Sequence, residues 1–255
     1  MKILSKTSDF DFDAWYKRIE YEGGAVLIDK YKYWTSFDVI AKMRGILKTK
    51  KVGHAGTLDP LASGLMVVCI GRPATRLIST FENETKVYDC KLKLGYTTQT
   101  YDLERQEEES GSIEGITLEQ IKEVLSSKFT GQILQTPPLF SAINIDGVRA
   151  YKLARKDSQV ELPEREITIY GFSEIVYDAP FLNFSVECSK GTYIRSLAND
   201  IGKELACGAY LAGLRRTKSG DFSVDNAINI NDLRDMKAHW DETTVPFDYQ
   251  NYANL

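Results

Sequence analysis

The sequence predicts an α+β protein whose strands come in several short groups separated by helices. Two observations carry that expectation. Some segments alternate apolar and polar residues with a period of two, whereas others repeat apolar residues every three or four positions. The two kinds of segment do not alternate one for one, as a doubly wound parallel sheet would require, and no internal repeat or low-complexity linker interrupts them.

The elements follow in chain order. A polar, aromatic-rich stretch of residues 1–21 precedes GGAVLIDK, whose continuous apolar run reads as a short buried strand. In TSFDVIAKMRGIL, Ser36 is placed to cap a helix, and Val39, Ile40, Met43, Ile46 and Leu47 recur at helical spacing. GLMVVCIG is a second apolar strand, ended by Gly71. VYDCKLKLG alternates, so Tyr88, Cys90, Leu92 and Leu94 share one face. TLEQIKEVLSSKF opens with a T-x-x-Q capping box and aligns Leu118, Ile121, Val124 and Leu125. QTPPLFSAINIDGVRAYKLARK is broken by proline, then basic and partly helical. ITIYGFSEIVYD and FLNFSVECSK form a strand pair about DAPF, with Leu182, Phe184, Val186 and Cys188 alternating. YIRSLANDIGKEL is a helix with Ile194, Leu197, Ala198, Ile201 and Leu205 inward.

Composition narrows the classes. The 255 residues are 43% hydrophobic and 27% charged, the values of an ordinary soluble globule. No apolar run reaches the roughly 18 residues of a membrane span. The first residues lack the apolar core of a secretory signal, so a cytoplasmic location without membrane contact is expected. Cys69, Cys90, Cys188 and Cys207 are scattered without a C-x-x-C pair. That spacing suits buried reduced thiols, not a zinc site or a redox motif. A net charge of -4 argues mildly against nucleic acid as a partner. Local clusters oppose it: Lys48, Lys50 and Lys51; Arg149, Lys152, Arg155 and Lys156; Arg215, Arg216 and Lys218.

The segment KVGHAGTLDPLASGLMVV, residues 51–68, sets glycines, a histidine and an Asp-Pro step before an apolar strand. Pro60 holds Asp59 out of the helical region. A turn aspartate would satisfy the same pattern, as would a carboxylate presented for chemistry. Arg195 falls in the first turn of its helix, where the dipole disfavours a cation unless an anion lies nearby. An arginine beside a buried carboxylate keeps the acid ionised, as a carboxylate nucleophile requires. Tyr88, on the apolar side of its strand, suits core packing or a ring on which a base stacks. His54 suits a turn, or the space that an extruded base leaves.

Several blocks resemble the TruB family of tRNA pseudouridine synthases. GHAGTLDPLASG matches its G-H-x-G-x-L-D-P-x-A-[ST]-G signature. LIDKYKYWTS resembles its D-K-P-x-G-x-[TS]-S segment, KVYDCKLKLGYTTQTYD its K-x-Y strand and following G-x-x-T-x-T-x-D, and PPLFSAINIDGVRAYKLAR its P-P-x-x-S-A-x-K stretch. CSKGTYIRSLANDIG and LRRTKSGDF match the last two blocks, for coverage of about residues 22 to 224.

The resemblance implies a pseudouridine synthase fold, with a mixed, mainly antiparallel central sheet flanked by helices and loops. It implies a catalytic domain over residues 22–225 with a thumb insertion at about 132–166. The expected activity is isomerisation of uridine to pseudouridine at position 55 in the T-arm of tRNA, on a flipped-out base. Asp59 would be the nucleophile, Arg195 its partner, and Tyr88 the stacking ring that joins in proton transfer. His54, Lys30, Arg149, Lys152 and Arg155 would bind RNA, with Lys30 either touching RNA or supporting the catalytic loop. The reaction breaks the N1–C1′ bond and forms a C5–C1′ bond without redox change, so neither cofactor nor metal is expected. Attack at C1′, addition to C6 and elimination to a glycal all remain open. A monomer is expected. A T-arm-binding chaperone that does no chemistry is the alternative class.

Three departures from the family pattern stand out. Tyr31 and Tyr33 occupy the positions of its proline and glycine, and Asn144 replaces a thumb lysine. Residues 226–255 are read as a short tail in place of a full PUA domain.

Overall fold

The computed structural model describes residues 2–6, 11–141, 144–145, 148–149 and 162–244. They divide into two units, residues 1–82 with 221–255, and residues 83–220. Arg149 is described in its backbone alone, and Lys152, Arg155 and Lys156 lie outside the described residues.

The first unit opens with β1 (Lys2–Leu4), α1 (Phe12–Glu22), β2 (Gly24–Lys30), α2 (Ser36–Leu47), β3 (Val52–Ala55), β4 (Ser63–Ile70), α3 (Arg72–Thr75) and α4 (Ile78–Glu82). The second contains β5 (Lys86–Leu94), β6 (Tyr96–Thr97), β7 (Glu108–Glu109), α5 (Leu118–Lys128), β8 (Gly131–Gln135), β9 (Asn144–Ile145), β10 (Val148–Arg149), β11 (Arg165–Asp178), β12 (Phe181–Cys188), α6 (Ile194–Glu204) and β13 (Ala209–Ser219). The chain returns to the first unit with β14 (Phe222–Ser223), a 3-10 turn at Val224–Asn226 and α7 (Ile230–Thr244).

In the first unit the two apolar runs pair with each other. β2 runs antiparallel to β4 and parallel to β1, and β3 runs antiparallel to β4. β1 and most of α1 fall within residues 1–21. Leu27, Ala55, Leu65 and Val67 pack with Val224 and Ala227 of the returning segment. Backbone bonds from Asp29 N to Ile228 O and from Ile228 N to Leu27 O, both 2.9 Å, fasten that segment to β2. One expectation is corrected here. Thr35, not Ser36, caps α2: its hydroxyl accepts from Asp38 N and the Asp38 carboxylate accepts from Thr35 N, a complete capping box. Ser36 is buried instead, one position inside the helix.

The second unit is an antiparallel sheet in the order β13, β5, β12, β11, β8. β5 has strand neighbours on both edges, and its buried face carries Tyr88, Cys90, Leu92 and Leu94 as the alternation requires. α5 carries the T-x-x-Q box, with Thr117 and Gln120 capping reciprocally. α6 buries one face, including Leu197, Ala198 and Ile201. It approaches β13 so closely at Gly202 that a Cβ there would lie 2.1 Å from Ala209 N. The β5–β13 register slips between Arg216 and Lys218, leaving Thr217 as a bulge beside Tyr88. Gln135 and Arg165 are register partners on β8 and β11, so residues 136–164 leave and re-enter the sheet at neighbouring positions.

Candidate active site

The loop between β3 and β4 presents Asp59. Leu58, Leu61 and Ala62 are buried on either side of it, while Asp59 is half-buried and Pro60 is exposed. Four bonds fix the loop. The Ser36 hydroxyl donates to Leu58 O at 3.0 Å and accepts from Leu58 N at 2.9 Å. Ala62 N donates to Asp59 O, closing the turn that Pro60 begins. Tyr33 N donates to Pro60 O at 2.6 Å. Gly56 enters the loop at φ 81°, a conformation that a Cβ would strain. The apolar neighbours anchor the backbone and leave the carboxylate between them. His54 precedes the loop on β3, paired with Val68 and half-buried.

Lys30 ends β2 only 1% exposed, with its ammonium donating to Tyr31 O at 3.0 Å and Trp34 O at 2.6 Å. It ties down the turn that in turn bonds to Pro60. An ammonium so enclosed acts on the loop; the structure offers it no surface for RNA.

Tyr88 sits in the middle of the second unit's sheet, opposite Val186 on β12 and Arg216 on β13. Its ring is buried. Burial pushes the phenol above its ordinary pKa, while a hydrogen bond and the positive charge of Arg216 pull it back. Arg216 is itself 1% exposed.

Arg195 lies in the first turn of α6, also buried. The anion that its helix-terminal position calls for is present: Asp102 Oδ2 lies 3.6 Å from Arg195 Nε, with both side chains at most 5% exposed. Nη2 donates to Phe140 O at 3.1 Å and Nη1 to Thr100 O at 3.4 Å. Asp102 is itself held. Its Oδ1 accepts from the Thr100 hydroxyl at 2.7 Å and from Glu104 N at 2.9 Å, and its backbone bridges to Leu211. The start of α6 has no side-chain cap of its own. Gln135 supplies one from β8, accepting from Tyr193 N at 2.8 Å and donating to Tyr193 O at 3.1 Å. Ser196 adds a bond to Thr136 O.

The first unit thus holds Asp59, His54 and Lys30, the last joined to the Asp59 loop through Tyr33 and Pro60; the second holds Tyr88 and Arg195. Sequence reasoning missed Asp102, Gln135 and Arg216 as supports. Asp102 is the last residue of the T-x-T-x-D block, which was its available signal. Gln135 had none, since its role appears only when β8 meets α6. Among the described residues no group of three or more His, Cys, Asp or Glu side chains is placed to hold a metal.

Comparison with known proteins adds the decisive observation. The model described as "TruB family pseudouridylate synthase (N terminal domain)" matches residues 44–194, and that of the "tRNA pseudouridylate synthase B C-terminal domain" matches residues 195–249. The chain belongs to the TruB family. Proteins named tRNA pseudouridine synthase B resemble this TruB chain over most of its length. The one from Parabacteroides distasonis is 46% identical over 86% of this chain and 95% of its own. The one from Clostridium tetani is 44% identical over 83% and 73%. Among solved structures, a Cbf5–Nop10–Gar1 complex matches with TM-score 0.68 and 28% identity over 94% of this chain and 62% of that one. An archaeal box H/ACA sRNP Nop10–Cbf5 complex matches with TM-score 0.66 and 26% identity over 90% and 58%. The TruB chain therefore spans about 60% of those solved chains. It has the pseudouridine synthase fold, α+β with a mixed sheet. As a TruB-family tRNA pseudouridine synthase it is an isomerase that converts uridine to pseudouridine.

Proposed function

We propose that the substrate is uridine 55 in the T-arm of tRNA and that Asp59 is the nucleophile. The observation that carries this reading is the GHAGTLDP loop, in which buried leucines and the Ser36 bridge hold one half-buried carboxylate in place. The target base lies inside a stem-loop stack, so it must be flipped out, at a cost of a few kcal/mol that stacking and edge contacts offset. Asp59 then attacks the extruded nucleoside, the N1–C1′ bond breaks, the uracil turns, and C5 bonds to C1′. The C5 proton leaves and N1 gains one, so the sum is an isomerisation. Tyr88 stacks on the base and takes part in that proton transfer, with burial raising its phenol above the ordinary value. The family resemblance gives Arg195, held by Asp102, the role of partner to Asp59. His54 occupies the space the base vacates, and Lys30 supports the loop.

We assign residues 132–166 as a thumb that closes on the RNA with Arg149, Lys152 and Arg155. Its support is the sheet pairing of Gln135 with Arg165, which brackets an insertion, and the basic sequence between them. Phosphate contacts position the RNA and the stem-loop shape selects it. The proposal takes the protein as a cytoplasmic monomer; no helix among the described residues is long and apolar enough to cross a membrane.

Tritium release from a T-arm stem-loop labelled at C5 of its uridine tests the reading. Wild type releases tritium from position 55 and Asp59→Asn releases none. Undiminished release by Asp59→Asn would remove Asp59 from the chemistry.

A further inference from the structure

The turn that joins β2 to α2 displays aromatic rings that the fold does not use. Tyr33 is 74% exposed, Phe37 66% and Tyr31 41%. Tyr33 also stands at φ 70°, a left-handed conformation that costs a residue with a Cβ free energy. An exposed ring gives the core nothing in return.

The backbone beneath these rings is held firmly. The Lys30 ammonium bonds the carbonyls of Tyr31 and Trp34 from below. Trp34 N closes the turn on Tyr31 O at 3.4 Å, and Tyr33 N reaches Pro60 O, the residue after Asp59. Tyr31 meets the Trp34 ring edge-on, with centroids 6.0 Å apart and planes at 71°. The Lys32 ammonium lies 5.0 Å from the centroid of the Tyr33 ring. A fixed backbone carrying exposed flat rings, with a cation beside one of them, offers unpaired nucleobases a face and the adjoining phosphate a charge. Because the turn is already ordered, little entropy is lost when a base settles on it.

We propose that Tyr31 and Tyr33 form a stacking platform for unpaired bases of the substrate RNA beside the flipped uridine. The occupant follows from the chemistry of the turn: planar rings with a neighbouring ammonium, bonded directly to the loop that presents Asp59. These two tyrosines are also where the chain departs from the D-K-P-x-G pattern, so the platform is a property of this sequence. The proposal rests on RNA as the substrate of this site.

The test uses the full chain and T-arm stem-loops carrying 2-aminopurine at single loop positions. Wild-type protein quenches the probe at one or more loop positions as the base stacks. Tyr33→Gly relieves the left-handed strain, so it melts at or above the wild-type temperature, which separates lost stacking from lost folding. It nevertheless binds the stem-loop about tenfold more weakly, as does Tyr31→Ala, and each loses quenching. Tyr33→Phe binds as wild type does, and affinity for a fully paired RNA of equal length is the same in all variants. Stem-loop affinity within twofold of wild type for Tyr33→Gly overturns the platform, and so does an equal loss toward duplex RNA. Sedimentation in which Tyr33→Gly abolishes self-association without changing RNA affinity overturns it in favour of a second copy as occupant. A wild-type protein that isomerises the stem-loop while Tyr33→Gly binds normally removes the platform alone. A wild-type protein that neither binds nor isomerises it removes the reading of the site as well.

Discussion

Arg195 and Asp102 form a buried ion pair in which the two carboxylate oxygens serve different partners. Oδ1 is taken by Thr100 and Glu104, and Oδ2 faces the guanidinium. Removing one partner strands the other charge in a dry environment. Asp102→Ala is expected to lower stability by about 3–5 kcal/mol in urea denaturation. The double variant Arg195→Met with Asp102→Leu should recover most of that stability and yet release no tritium. Recovered activity in the double variant would reduce the pair to a structural role.

Gln135 replaces the missing cap of α6 with two bonds to one residue. Gln135→Leu removes the side-chain acceptor of the half-buried Tyr193 N–H and one of two donors to its carbonyl, which keeps its bond from Leu197 N, at a cost of about 1–3 kcal/mol. Hydrogen exchange should locate the loss, with the first turn of α6 exchanging faster while α5 is unchanged.

Tyr88→Phe keeps the ring and the burial and removes only the hydroxyl. Stem-loop affinity should stay close to wild type, because stacking needs only the ring. The rate of pseudouridine formation at saturating RNA should fall by roughly 10²–10⁴. Equal losses in affinity and rate would instead point to a hydroxyl used in binding.

Glu107 gives a pH dependence whose sign is fixed. Lys93 donates to both its oxygens at 2.7 and 2.8 Å, and the Tyr210 hydroxyl donates to one of them. These bonds hold the carboxyl below its ordinary 4.5. A depressed folded value means stability that is present above pH 4.5 and lost as pH falls through the folded value. Glu107→Gln should therefore lower the melting temperature at pH 7 and make no difference once the wild-type carboxylate is protonated. A gap that persists in acid would refute the electrostatic origin.

Legibility varied with the range of the interaction. The α5 capping box and the buried side of β5 depend on neighbours within a few residues, and the T-x-x-Q spacing and the alternation of Tyr88 to Leu94 stated them in full. Arg195 was legible as a cation in need of an anion, because a helix terminus is a local electrostatic fact. Its described partner Asp102 was marked only as the last residue of the T-x-T-x-D block; the pairing itself was not legible, since 93 positions and a β-bridge to Leu211 bring it there. The cap of α2 misled by one position: Thr35 and Ser36 are both good caps, and the inward pull of Leu58 on the Ser36 hydroxyl decided between them. For Lys30 the sequence left open RNA contact or support of the loop, because its burial depends on the turn that closes over it.

The pairing of Gln135 with Arg165 bears on how much this chain can vary. Paired strand residues stand about 5 Å apart, so whatever lies between 135 and 165 begins and ends at nearly one point. Closing such an excursion costs an entropy that rises only logarithmically with its length, about 0.6 kcal/mol for each doubling. Thr136 O and Phe140 O stay committed to Ser196 and Arg195, but beyond them the sheet is nearly indifferent to what is inserted, and selection can lengthen, shorten or recharge the chain there without renegotiating the fold.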